Sequence, residues 1–124
     1  MYFFGGYTIK NQKTISTLDI NSGKWQKIGD LPVGLKNPSL AKVDDTILIF
    51  ENRKLFSYNT QNNVLKQFFI GLNLFNSKTH VFNDTLYIVG GKTEDNFEKL
   101  PQKGFYSVDL VELDNTKPEF ITNY

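Results

Sequence analysis

The chain has 124 residues, 40% hydrophobic, 15% aromatic and 22% charged, and its 14 Lys plus Arg against 13 Asp plus Glu leave a net charge of +1. That is the length of one domain or a piece of a larger one, and so even a charge balance argues against binding to nucleic acid or a membrane surface through bulk electrostatics. Zero cysteines exclude disulfide frameworks, thiolate metal sites and thiol nucleophiles. No apolar run approaches the roughly 18 residues of a spanning helix, and Met1 to Gly6 lacks the charged start and cleavage site of a signal peptide, so the chain reads as not self-exporting. The composition leaves the compartment open.

Taken from the N-terminus, the apolar runs are short: Tyr2 to Phe4, Ile15 to Ile20, Leu40 to Val43, Ile47 to Phe50, Leu55 to Tyr58, Val64 to Ile70, His80 to Phe82, Leu86 to Val89 and Phe105 to Leu110. None carries the i, i+3, i+4, i+7 stripe over the ten or so residues a helix needs, so each predicts a strand. Eleven Phe and six Tyr add to the sheet tendency. Between the runs stand turn signals: Gly5-Gly6, Asn21-Ser22-Gly23, Asp44-Asp45, Gln61-Asn62-Asn63, Asn83-Asp84 and Gly90-Gly91. Asn, Asp and Gly tolerate left-handed backbone or hydrogen-bond their own turns, which predicts an antiparallel meander. The longest gaps, Gly29 to Pro38 and Lys92 to Gly104, predict loops, and no linker or low-complexity segment divides the chain.

An internal repeat organises these elements. Asp44 to Phe50 lies over Asn83 to Val89 at a spacing of 39, and Tyr2-Phe3-Phe4-Gly5-Gly6 matches Tyr87-Ile88-Val89-Gly90-Gly91 at 85, about two periods. A second landmark agrees, since Leu18 to Trp25 lies over Tyr58 to Leu65 at a spacing of 40. A period of about forty residues holding four short strands is the mark of a β-propeller blade.

The units resemble kelch repeats: a hydrophobic strand, a polar turn, an aromatic strand ending in Gly-Gly, a long loop, a strand ending near Asp, and Trp about six residues later. The first unit carries Gly5-Gly6, Asp19, Trp25 and Leu31-Pro32 in order. The second has Glu51-Asn52 and Leu65 at the diagnostic places, and the third regains Gly90-Gly91 and Val108-Asp109 but no Trp. The resemblance implies an all-β fold of kelch-like propeller blades, each of four antiparallel strands, in an incomplete ring. The whole chain, 1–124, is then one partial propeller segment with units near 1–37, 38–76 and 77–124. About two and a half to three blades fall short of the four to eight that close a ring. The expectation is a segment of a longer protein, or a chain completing its ring with other copies or another subunit. An unguarded edge at Tyr2 to Phe4 is expected to invite such a partner. The glycine pairs are expected to allow positive φ and close approach, and Trp25 to be buried between blades, where truncation would cost about 3–5 kcal/mol. Leu40 to Val43 should lie inside its blade, beside a central channel with Thr79 to Phe82, and Val64 to Ile70 toward the outside.

Candidate chemistry is sparse. His80, the only histidine, falls in a first strand at the position of Ala41, and without Cys or a second His it reads as a satisfied or axis-lining residue. The carboxylates Asp44-Asp45, Glu94-Asp95, and Asp109 with Glu112 do not converge, because adjacent strand residues point to opposite faces. Asn83-Asp84-Thr85 fits the glycosylation pattern, but a tight turn explains it.

In a kelch-type ring, the loops on one face dock partners. Here they hold Tyr7, Lys10, Lys36, Phe75, Lys78, Lys92, Glu94 and Phe97, a set suited to an acidic peptide or a glycan. The function implied is a non-catalytic scaffold for protein–protein interaction, not an enzyme, with no cofactor. Its partners are a protein or the remaining blades of the same propeller, with no nucleic acid and no membrane. The alternative is part of a carbohydrate-binding or sugar-processing propeller, for which Lys42, Lys78 and His80 are the polar residues on offer.

Overall fold

The computed structural model describes residues 2–4, 12–35, 38–70, 72, 74, 77–90, 92–94, 99–101 and 105–124, and the chain divides into two compact units. Among these residues all regular structure is antiparallel sheet except one six-residue helix. Among the described residues no sheet closes on itself.

The first unit comprises residues 1–38 with Tyr124. It holds β1 (Tyr2–Phe4), β2 (Gln12–Asp19) and β3 (Lys24–Leu35), paired in the order β1-β2-β3. Phe4, Ile15, Leu31 and Leu35 are buried. The β2–β3 turn is held by Asp19, whose carboxylate accepts from the backbone N–H of Asn21 at 3.0 Å, while Gly23 takes φ 71° and donates its N–H to the Asp19 carbonyl. The predicted loop from Gly29 to Pro38 is instead largely strand. β3 continues to Leu35, paired with Gln12, and two register shifts take up the mismatch. Pro32 is tolerated because β3 is an edge strand of this sheet, where an absent N–H leaves no ladder partner unmet. A Cβ on Gly29 would stand 2.5 Å from the ring of Tyr124, whose hydroxyl donates to the Asp30 carbonyl at 2.6 Å, so this glycine is required for close approach.

The second unit, residues 39–123, begins with a meander of β4 (Ser39–Val43), β5 (Thr46–Glu51), β6 (Lys54–Asn59) and β7 (Val64–Phe69). It continues through β8 (Lys78–Phe82), β9 (Thr85–Val89), β10 (Lys92–Glu94), β11 (Lys99–Pro101), β12 (Phe105–Asp109), α1 (Leu110–Asn115) and β13 (Phe120–Asn123). The hairpins Val43↔Thr46 and Phe82↔Thr85 coincide in register at the predicted spacing, with left-handed Asp44 in one and left-handed Asn83 and Asp84 in the other. The β6–β7 turn reproduces the β2–β3 turn forty residues on: Asn59 accepts from the Gln61 N–H at 2.9 Å, and Asn63, at φ 56°, replaces Gly23. Tyr58, fully buried, secures that turn by donating its hydroxyl to Asn63 Oδ1.

Two sheets result, ordered β13-β7-β6-β5-β4 and β12-β9-β8, with β10 and β11 a separate hairpin inside the second predicted loop. β7 stands at the far side of the four-stranded meander from β4, in keeping with the expectation for Val64 to Ile70, and β13 pairs along its outer edge as a fifth strand. α1 follows β12, capped by Asp109, whose carboxylate accepts from the Val111 N–H at 2.9 Å.

The core lies between these two sheets. Leu48, Phe50, Leu55 and Phe68 meet Leu86 and Ile88, with Leu74 and Leu113 sealing the margins. Each of these side chains contributes roughly 1.5–3 kcal/mol through burial. The first strands approach each other, and Ser39 donates its hydroxyl to the Ser77 carbonyl. In register terms, Leu48 and Phe50 correspond to Tyr87 and Val89, whereas Leu86 and Ile88 correspond to Ile47 and Ile49. The two sheets therefore present opposite faces of the same repeat to each other, as a stack of like-oriented layers does.

Two expectations about single residues fail. Trp25 is 61% exposed, because Leu18 and Trp25 lie on a face of the first sheet that is only partly covered. Gly90 takes φ 68°, as foreseen, but a Cβ there would meet nothing within 4 Å, so it serves the backbone angle and not a close approach. Gly5, Gly6 and Gly91 lie outside the described residues.

Candidate functional site

The second unit contains a cleft of about 390 Å³ at the turn end of its two sheets. Val43, Leu48, Val64, Leu110 and Leu113 form its apolar lining, and Asp44, Asp84, Asp114, Lys66, Thr46, Ser57, Asn59 and Asn62 its polar lining. The cleft follows from topology. The sheet β12-β9-β8 has three strands, and α1 follows it at the cleft, with Leu110 and Asp114 in the lining and Leu113 turned into the core. Much of the polar lining is already committed to the fold. Asn59 and Asn62 accept backbone N–H groups in their own turn, and Asp44 and Asp84 occupy left-handed hairpin positions. Among the described residues no group of three His, Cys, Asp or Glu is placed to hold a metal ion.

A second feature is the outer face of β12-β9-β8. Its rows are Lys78, Val89 and Phe105; His80, Tyr87 and Ser107; and Phe82, Thr85 and Asp109. Phe105 is 66% exposed, Phe82 60% and Val89 43%, and the Tyr87 and Phe105 rings pack at 5.4 Å between centroids. Each end row sets exposed apolar side chains beside a charged one, Val89 and Phe105 beside Lys78 and Phe82 beside Asp109, with an imidazole in the middle row.

The predicted site residues fall into three groups. Lys78 opens β8 on this outer face and is exposed. Lys92 and Glu94 sit in β10, opposite Pro101 and Lys99 in the pairing, and their side chains lie outside the described residues. Tyr7, Lys10, Lys36, Phe75 and Phe97 also lie outside them. The polar residues of the carbohydrate alternative are not gathered. Lys42 corresponds in register to Val81, which faces the core, while Lys78 and His80 point the other way, so Lys42 projects from the opposite face of the repeat to Lys78 and His80. Asp109 with Glu112 forms a helix cap and first turn, which accounts for both carboxylates structurally.

Sequence reasoning missed both features. The outer face carries a legible signal, because Phe82, Val89 and Phe105 alternate with core residues, but alternation on both faces of one sheet does not say which face is covered. The cleft depends on α1, which six residues cannot announce through periodicity. No protein-family model and no curated protein sequence matches the chain.

Proposed function

We propose that the chain is a kelch-like β-propeller segment that serves as a non-catalytic scaffold for protein–protein contact. The observation that carries this reading is the stacking of β12-β9-β8 on the meander with register-equivalent residues on opposite faces. Propeller blades stack in that way, each laying one face on the opposite face of the next. The repeated Asx turns at Asp19 and Asn59 support the same repeat independently. The outer face of β12-β9-β8 supplies what a scaffold needs, an apolar surface with aromatic anchors and a few polar groups.

The alternative, a carbohydrate-binding or sugar-processing propeller, draws on the cleft, whose carboxylates and amides above an apolar floor suit a polyol. Two assays on the same protein separate these readings. Peptides selected by phage display should bind the chain and lose binding on Phe105→Asp, while a glycan array should stay blank. Glycan binding that Asp114→Ala abolishes, without peptide selection, would replace the scaffold by the sugar reading.

A further inference from the structure

In the meander sheet Leu55 is 0% exposed on the face that meets β12-β9-β8, and Leu65, on the other face, is 1% exposed. The register carries each position to its equivalent. Leu55 pairs with Phe50 as Phe105 pairs with Val89, so Phe105 is the Leu55 of the third repeat. Leu65 pairs with Tyr58 as Trp25 pairs with Leu18, so Trp25 is the Leu65 of the first. Both equivalents are mostly in solvent, at 66% and 61%. The exposed residues are therefore two halves of one kind of contact. The third repeat presents the face that receives a neighbouring sheet, and the first presents the face that is laid down on one.

We propose that the outer face of β12-β9-β8, through Phe82, Val89 and Phe105, docks the Leu18–Trp25 face of the first sheet of a second copy of this chain. The proposal rests on the blade-stacking reading above and names its partner. A second copy is the occupant because one chain carries both complementary faces, in equal number, and the contact repeats an interface the chain already forms between its own two sheets. It is a heterologous contact, with different patches on the two sides, so it either closes a ring or adds copies in line. The net charge of +1 raises no barrier between copies.

The experiment is sedimentation velocity on the purified 124-residue chain from micromolar to a few hundred micromolar. The wild type should form species of twice 14.3 kDa or more as concentration rises. Trp25→Asp and Phe105→Asp should each weaken association at least about tenfold, as loss of an aromatic anchor does. Mixed in equal amounts, the two variants should recover a two-chain species, since the Trp25→Asp copy keeps an intact receiving face and the Phe105→Asp copy an intact Trp25 face. Far-UV circular dichroism checks that the variants fold, and Phe82→Asp, on a different strand of the same face, replaces Phe105→Asp if that variant does not. A wild type that stays monomeric throughout overturns the proposal. So does a Trp25→Asp chain that associates like the wild type while Phe105→Asp does not, which would mean a face meeting its own copy. A monomer that still selects peptides through Phe105 refutes the second copy and leaves the scaffold standing, whereas a monomer that selects none refutes both.

Discussion

Leu55 and Phe105 occupy the same place in successive repeats, so truncating each to alanine isolates what a covering sheet contributes. Leu55 is fully buried between the sheets, and a buried Leu→Ala change loses transfer energy and leaves a cavity, about 3.5 kcal/mol at the middle of the usual range. Phe105 is 66% exposed, with about a third of its surface covered, partly by the Tyr87 ring at 5.4 Å. A third of the roughly 1.5–3 kcal/mol for complete burial of a large apolar side chain is about 0.5–1 kcal/mol. With a urea dependence near ~1.5 kcal/mol per molar, the midpoint should fall by roughly 2 M for Leu55→Ala and roughly 0.5 M for Phe105→Ala. The assay is equilibrium urea unfolding followed by far-UV circular dichroism, at submicromolar protein so that association between copies does not contribute. Equal shifts would show that the two positions are equally covered in solution, and would refute the assignment of one face as core and its register equivalent as surface.

Trp25→Ala should lower stability by about 1 kcal/mol or less, because most of the indole is already in water, and a thermal melt should move by no more than about 5 °C; a loss of 3–5 kcal/mol would return Trp25 to the core. Tyr124 has its phenol pushed above the ordinary 10.0, first by burial and then by the Asp30 carboxylate. Since the folded state favours the neutral phenol, its contribution is intact below the ordinary tyrosine pKa and is lost as pH rises through the raised one. The difference in urea midpoint between the wild type and Tyr124→Phe should therefore shrink at strongly alkaline pH; a constant difference from pH 8 to pH 11 would contradict the linkage.

What the sequence determined by itself is the local chemistry. Asp44, Asn83 and Asp84 marked hairpins because their side chains tolerate left-handed backbone, and all three adopt it. The two landmarks separated by forty residues reappear as one turn made twice, because Asp19 and Asn59 can each satisfy the following N–H groups without distant help. The burial of single residues was less legible. A sheet face becomes core or surface according to whether another sheet lies on it, and Trp25 and Leu65, or Phe105 and Leu55, are alike in pattern and opposite in exposure. β13 illustrates the same limit. Phe120 to Asn123 has no local signal for its partner, and it joins β7 because an open edge of N–H and C=O groups was there to be satisfied. Tertiary structure alone decided the cleft as well, since the three-stranded sheet and the short helix that frame it come together only when residues thirty to seventy positions apart are folded against one another.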